Sequence, residues 1–222
     1  GGGGSLNIQG FDFSGFESDI AIPDTDSATI SIADNSLSGG IALNDMDVSY
    51  AHGEEESLSY FSDTDIHGNY WGSVMGPRRM DALGSSSGAV LDVGPLDIEY
   101  EPFFIDHNLV VPATMQVTDT EASISIVPGT YSIPPDGAVL VDATDANGLP
   151  ISISGGGATV LQAESGSHGS AFILNAESTL STLEFHGFES AIQIKDMKMH
   201  ISVTDNSFSE CVDGIRVIGS ST

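Results

Sequence analysis

Apolar residues in this chain recur in short alternating triplets and not at helical spacing. Examples are Ile20-Ala21-Ile22, Ile30-Ser31-Ile32, Ile41-Ala42-Leu43, Ile124-Ser125-Ile126, Ile151-Ser152-Ile153, Ile192-Gln193-Ile194, Ile201-Ser202-Val203 and Ile215-Arg216-Val217. Period-two alternation puts both apolar side chains of a triplet on one face of a strand. Between the triplets stand Gly, Asp, Asn and Ser, the residues that make turns. The strands are too short for an ordinary sandwich, and the turns are not of the two-residue hairpin kind. The pattern predicts an all-β chain. Its core ladders are expected to contain Ile20, Ile22, Ile30, Ile32, Ile41, Leu43, Ile192, Ile194, Ile201, Val203, Ile215 and Val217.

Spacing then selects an architecture. Ile20 and Ile41 are 21 residues apart, Ile8 and Ile30 22, Leu180 and Ile201 21, and Ile192 and Ile215 23. A period of this size belongs to chains that bury a face only by stacking one turn on the next. Leucine-rich repeats share the period, but their Leu-x-x-Leu-x-Leu signature is missing, so stacked β coils fit better. Two stretches also match each other directly. Phe13-Ser14-Gly15-Phe16-Glu17-Ser18 matches Phe185-His186-Gly187-Phe188-Glu189-Ser190, and the run from Ile30 to Ser38 matches that from Ile201 to Ser209. Their shared Asp-Asn-Ser step reads as a coil corner, where Asn tolerates left-handed backbone and its amide bonds to the neighbouring coil.

These residues carry a resemblance. The pattern Ile-x-(Ile/Val)-x-Asp-Asn-x-(Phe/Leu), followed by Gly-Ile-x-(Val/Leu), resembles the repeats of the pectate-lyase-like, right-handed parallel β-helix superfamily. Asn69-Tyr70-Trp71-Gly72 with Gly76-Pro77 is similar to an element near the C-terminal end of many surface β-helix proteins. The resemblance makes Val90–Pro95 a closing strand and Trp71 a residue that closes the helix end. Thr120 to Tyr131 resembles a first coil. An ending thus precedes a beginning. Residues 1–104 read as the C-terminal half of one β-helix module, and 105–222 as the N-terminal half of a following module. Joining Thr222 to Gly1 would make a Ser/Gly-rich surface loop, so a segment of a tandem array is expected, with a circularly permuted module as the alternative. The two halves are expected to meet mainly end to end.

Charge narrows the partners. Thirty-two acidic residues face five basic ones, for a net charge of −27. Nucleic-acid binding needs a basic footprint that does not exist here, and anionic membrane surfaces repel such a chain. No apolar run approaches the ~20 residues that span a bilayer. Self-repulsion of this size is tolerated where salt or divalent cations screen it, which points to an extracellular or cell-surface setting. The lone Cys211 forbids an internal disulfide and is expected as a small buried hydrophobe.

Candidate chemistry is sparse. The superfamily's lyases use an Arg or Lys base, and Arg216 is the one basic residue on a strand triplet near acids, pointing outward. The Gly-His-Gly and Arg-Ile-Lys steps of its hydrolases and the Asp-Pro-His-Asp motif of its epimerases are missing. His168, His186 and His200 lie in separate segments without metal-ligand spacing. No catalytic residue and no organic cofactor is therefore assigned. Calcium is the one ligand the acids suggest, because Asp24 and Asp26, Asp45 and Asp47, and Asp63 and Asp65 set carboxylates two apart in loops. The expected function is a structural or adhesive repeat module of an extracellular fibre, stalk or surface coat. Its partners would be copies of itself, arranged head to tail as a filament, and polysaccharide. The alternative is a polysaccharide-active lyase or hydrolase with diverged motifs.

Overall fold

A computed structural model describes residues 5–13, 20–23, 29–37, 40–44, 64–71, 73, 76, 78–79, 90–92, 101–117, 121–142, 150–164, 169–195 and 199–219. Among them there are strands and no helix. The first strands are β1 (Ser5–Gln9), β2 (Asp12–Phe13), β3 (Ile20–Pro23), β4 (Thr29–Ala33), β5 (Ser36–Leu37) and β6 (Gly40–Asn44). Next come β7 (Thr64–Asp65), β8 (Arg78–Arg79), β9 (Val90–Asp92), β10 (Phe103–Phe104), β11 (Pro112–Val117) and β12 (Ala122–Ile126). Then follow β13 (Gly129–Ile133), β14 (Val139–Val141), β15 (Ile151–Gly155), β16 (Thr159–Ala163), β17 (Phe172–Leu174) and β18 (Ser178–Ser181). The last are β19 (Glu184–His186), β20 (Ser190–Ile194), β21 (Ile201–Thr204), β22 (Ser207–Ser209) and β23 (Asp213–Val217).

The later strands sort into three parallel stacks, β12-β15-β18-β21, β13-β16-β19-β22 and β14-β17-β20-β23, so each pass of the chain adds one strand to each stack. The earlier strands do the same in β1-β4-β7 and β2-β5, while in β3-β6-β9-β8 the parallel strand β9 inserts between β6 and β8. An all-β chain of parallel stacks is compatible with a β-helix-like fold. The alternation explains which side chains go in. Ile124, Ile153 and Leu180 are register partners and fully buried. The residues between them form outward columns of hydroxyls, Ser123–Ser152–Thr179–Ser202 and Ser125–Ser154–Ser181–Thr204.

One expected register is two residues off at two places. Ile8 pairs with Ile32, not Ile30, and Leu180 pairs with Val203, not Ile201. A slip of two keeps every side chain on its face, so alternation alone does not fix the register. The corners fix it. Asp34 and Asp205 both take left-handed backbone, with φ of 55° and 54°. The asparagine after each reaches back to the preceding coil. Asn35 Nδ2 donates to Ile8 O at 3.0 Å and Ala33 O at 2.9 Å, and its Oδ1 accepts from Phe11 N at 3.0 Å. Asn206 repeats this with Leu180 O at 2.9 Å, Thr204 O at 2.8 Å and Leu183 N at 2.9 Å. Asn69 adds a third step, donating to Ile32 O at 2.7 Å and accepting from Asn35 N at 3.0 Å. The described strands of coils 5–44 and 178–217 therefore correspond: Phe13 pairs with Leu37 as Phe185 does with Phe208, and Ile20 with Ile41 as Ile192 does with Ile215.

The two sets of coils are joined by one strand of opposite direction. Tyr70 bridges Ser36 and Phe104 in parallel, β10 pairs antiparallel with β11, and β11 pairs antiparallel with β12. Two reversals restore the original direction. Apolar residues line this junction, and Trp71, Phe103, Ile105, Val111 and Ala113 are all buried in the same core that contains Ile30 and Ile192. The Ile20 and Ile192 rungs lie in different sheets. Further along, Phe185 sits among Phe172, Phe188 and Phe208, with the Phe208 ring stacked at 5.2 Å.

The expected core residues are on strands. Ile20, Ile30, Ile32 and Ile192 are buried, and Ile194, Ile201 and Val203 pack against the core. Ile215 and Val217 hold the expected register but are 44% and 48% exposed, because β23 is an edge strand. The side chains of Ile22, Ile41 and Leu43 lie outside the described residues.

Candidate functional site

A cleft of about 560 Å³ opens where the corner of the first two coils faces the loop between β10 and β11. One wall is the corner: Gly10, Phe11, Asp12, Asp34 and Ser36. Gly10, with φ of 76°, turns the chain, and its N–H donates to Asp34 O at 3.2 Å. Phe11 follows with its ring 57% exposed. The Asp34 carboxylate accepts from Gln9 Nε2 at 2.7 Å. Beside it Gly68 has φ of 68°, and a Cβ there would stand 3.0 Å from Asp34 Oδ1. Glycine thus serves both the left-handed turn and the carboxylate's position.

The other wall is His107, Asn108 and Leu109. A buried carboxylate holds this loop in shape. Asp106 accepts from Val111 N at 2.7 Å and Val110 N at 3.0 Å, while Leu109 N donates to Asp106 O at 3.2 Å and Ile105 N to Val111 O at 3.0 Å. Burial raises the Asp106 pKa above the usual carboxylate range. The backbone donors of Val111, Val110 and Asn108, and the neighbouring His107, pull it partly back. Leu109 sits at φ of 56°, a left-handed conformation that costs a non-glycine residue about 1–2 kcal/mol. The loop is thus set before any ligand arrives. The cleft offers an exposed phenyl ring, two carboxylates, a hydroxyl and an imidazole, the Asn108 amide nitrogen being buried, and among the described residues no Lys or Arg lines it. Such a lining repels anions and attracts cations.

A second constellation lies on the outer face of β19 and β22. His186 Nδ1 is 3.0 Å from Ser209 Oγ, and His186 Nε2 is 3.3 Å from Glu210 Oε2. The order Ser–His–acid has the form of a nucleophile relay. Here the histidine and glutamate side chains are 44% and 76% exposed, so water reaches the whole group, and Ser209 Oγ also donates to Phe185 O at 3.3 Å. The contacts brace one coil on the next.

The residues singled out from sequence are placed as follows. Arg216 points outward on β23, and its guanidinium is 3.7 Å from Glu189, both half exposed. Trp71 is fully buried. Cys211 is only partly buried, with Sγ 3.4 Å from Ser209 O, because it sits on the outermost coil. His186 is in the constellation above, His200 is exposed, and His168 lies outside the described residues. Asp24, Asp26, Asp45, Asp47 and Asp63 also lie outside them, as does the side chain of Asp65. Among the described residues, no three His, Cys, Asp or Glu side chains are grouped to hold a metal ion. The cleft itself was not expected. Its two walls are separated by about 70 residues or more, and no motif links Asp12 and Asp34 to His107 and Asn108. No protein-family model matches the chain, and neither curated proteins nor solved structures give a match.

Proposed function

We propose that this chain is a structural or adhesive repeat module of an extracellular fibre, stalk or surface coat, built as a right-handed parallel β-helix of the pectate-lyase-like kind. The observation that carries this reading is the correspondence between the described strands of coils 5–44 and 178–217. Coils built to one plan stack on one another in either order. The outer rungs favour further stacking, since Leu6, Phe208, Ile215 and Val217 keep a third to a half of their surface exposed on edge strands. Edge strands with apolar inward residues are templates for another coil. In a head-to-tail array Ile215 of one module would lie over Ile20 of the next and extend the isoleucine ladder. Electron microscopy of the protein in high salt or calcium tests this. Regular filaments are expected, and the substitution Ile215→Asp should abolish them.

The charge of −27 opposes close approach of modules. Calcium held by Asp24, Asp26, Asp45, Asp47, Asp63 and Asp65 would relieve it, and ligand linkage would then raise the melting temperature with calcium. Chelation at constant ionic strength separates this from screening, and an unchanged melting temperature removes the specific sites. A second reading, a polysaccharide-active lyase or hydrolase, draws support from the carboxylates Asp12 and Asp34 in one cleft. Dispersed compact particles that depolymerise pectate or alginate would favour it over the structural reading.

A further inference from the structure

We propose that the cleft between the Gly10–Asp34 corner and the 107–109 loop binds a sugar bearing a free amino group. This goes beyond the structural reading and does not depend on it. The cleft has the size of a small-molecule site, and both walls are fixed in advance. One is tied by the asparagine corner and the other by the buried Asp106 carboxylate. Each group has a use for such a ligand. The exposed Phe11 ring packs on the apolar C–H face of a pyranose and attracts a cation over its own face. Asp34, with Asp12 beside it in the lining, forms charge-assisted hydrogen bonds to an ammonium group. Ser36 and His107 line the same cleft and carry groups that exchange hydrogen bonds with hydroxyls. A simple alkylammonium would leave these last two unused, and an acidic sugar would meet two carboxylates. The net charge of −27 adds long-range attraction for a cationic ligand.

Calorimetric titration of the full chain with short glucosamine oligomers tests the assignment. N-acetylglucosamine oligomers, which lack the charge, cello-oligosaccharides, which lack the nitrogen, and tetralysine, which lacks the sugar, serve as comparators. Asp34→Asn keeps a residue that tolerates left-handed backbone and an acceptor for Gln9, so it should fold. Phe11→Ala removes an exposed ring. Glucosamine oligomers should bind, and N-acetylation should abolish binding. Asp34→Asn should weaken it roughly tenfold or more, and Phe11→Ala several-fold. Glu184→Gln, on the outer face of β19, controls for general attraction to an acidic protein and should change nothing. The proposal is overturned if glucosamine oligomers do not bind, or if the neutral oligomers bind equally well. Unchanged affinity in Asp34→Asn and Phe11→Ala overturns it, as does equal weakening by Glu184→Gln. Tetralysine binding with the same sensitivity to Asp34→Asn would reassign the cleft to a basic peptide and also overturn it.

Discussion

Asp106 can be tested for what its carboxylate does as an acceptor and for what its charge costs. Its side chain is 2% exposed and receives two backbone N–H groups, of Val110 and Val111, the second from a fully buried residue. Asp106→Ala leaves both donors without that partner. A buried donor left unpaired costs about 1–3 kcal/mol. Val110 is only partly buried and recovers some of this from water, so the expected loss is about 2–4 kcal/mol. Asp106→Asn keeps the Oδ1 acceptor and discards the charge, so it should be near neutral at pH 7. The pH dependence follows from the raised pKa. Between the unfolded value of 3.8 and the higher folded value, the folded chain binds more protons than the unfolded one. Linkage then makes stability fall as pH rises through that window. Asp106→Asn does not titrate, so wild type should lose stability relative to it from pH 3.5 upward and level off once Asp106 is ionised in both states. Urea denaturation of the three proteins across pH measures this. The reasoning fails if Asp106→Asn costs as much as Asp106→Ala, or if wild type gains on the Asn variant as pH rises.

Two further stability outcomes follow from the corners and the aromatic ladder. Asn35→Ala should cost about 2–3 kcal/mol, because it removes bonds to partly buried groups of Ile8, Ala33 and Phe11 and a buried one to Asn69 Oδ1. Asn206→Ala should cost roughly half as much, since the same bonds lie on a more exposed coil, and equal losses in urea titrations would contradict the burial argument. Phe185→Ala should cost about 3–5 kcal/mol, because the fully buried ring touches Phe172, Phe188 and Phe208. A loss below 1 kcal/mol in thermal or urea unfolding would mean that the ring stack is not formed.

The strands were legible because alternation is a local signal. Ile124-Ser125-Ile126 can hide both isoleucines only by pointing Ser125 outward, whatever lies on either side. The period was legible to within two residues for the same reason, since a two-residue slip leaves every side chain on its face. What resolved Ile8 with Ile32 was the corner, where left-handed Asp34 and the back-bonded Asn35 tie the coil to Ile8 and Phe11 of the one before. The corner residues were visible in the sequence as a repeated Asp-Asn-Ser step. Counting from corner to corner, and not from isoleucine to isoleucine, would have given the observed register. Gly10 and Asp34 are 24 residues apart, as are Ile8 and Ile32, and Thr182 and Asp205 are 23 apart, as are Leu180 and Val203.

The cleft was not legible, and its construction explains why. Only one of its walls is a repeated element, a corner that also exists, in similar form, around Leu183 and Asn206. What distinguishes it is the loop on the other side, which exists only because β11 runs against the stack. Reversing direction after Phe104 requires a tight hairpin, and residues 105–111 supply it around a buried acid. In a chain of 32 acids nothing marks Asp106 as the buried one until its donors at Val110 and Val111 are known. A parallel stack of equivalent coils offers the same surface at every step. A departure from that repetition is where a selective site can form, and here the antiparallel strand is that departure.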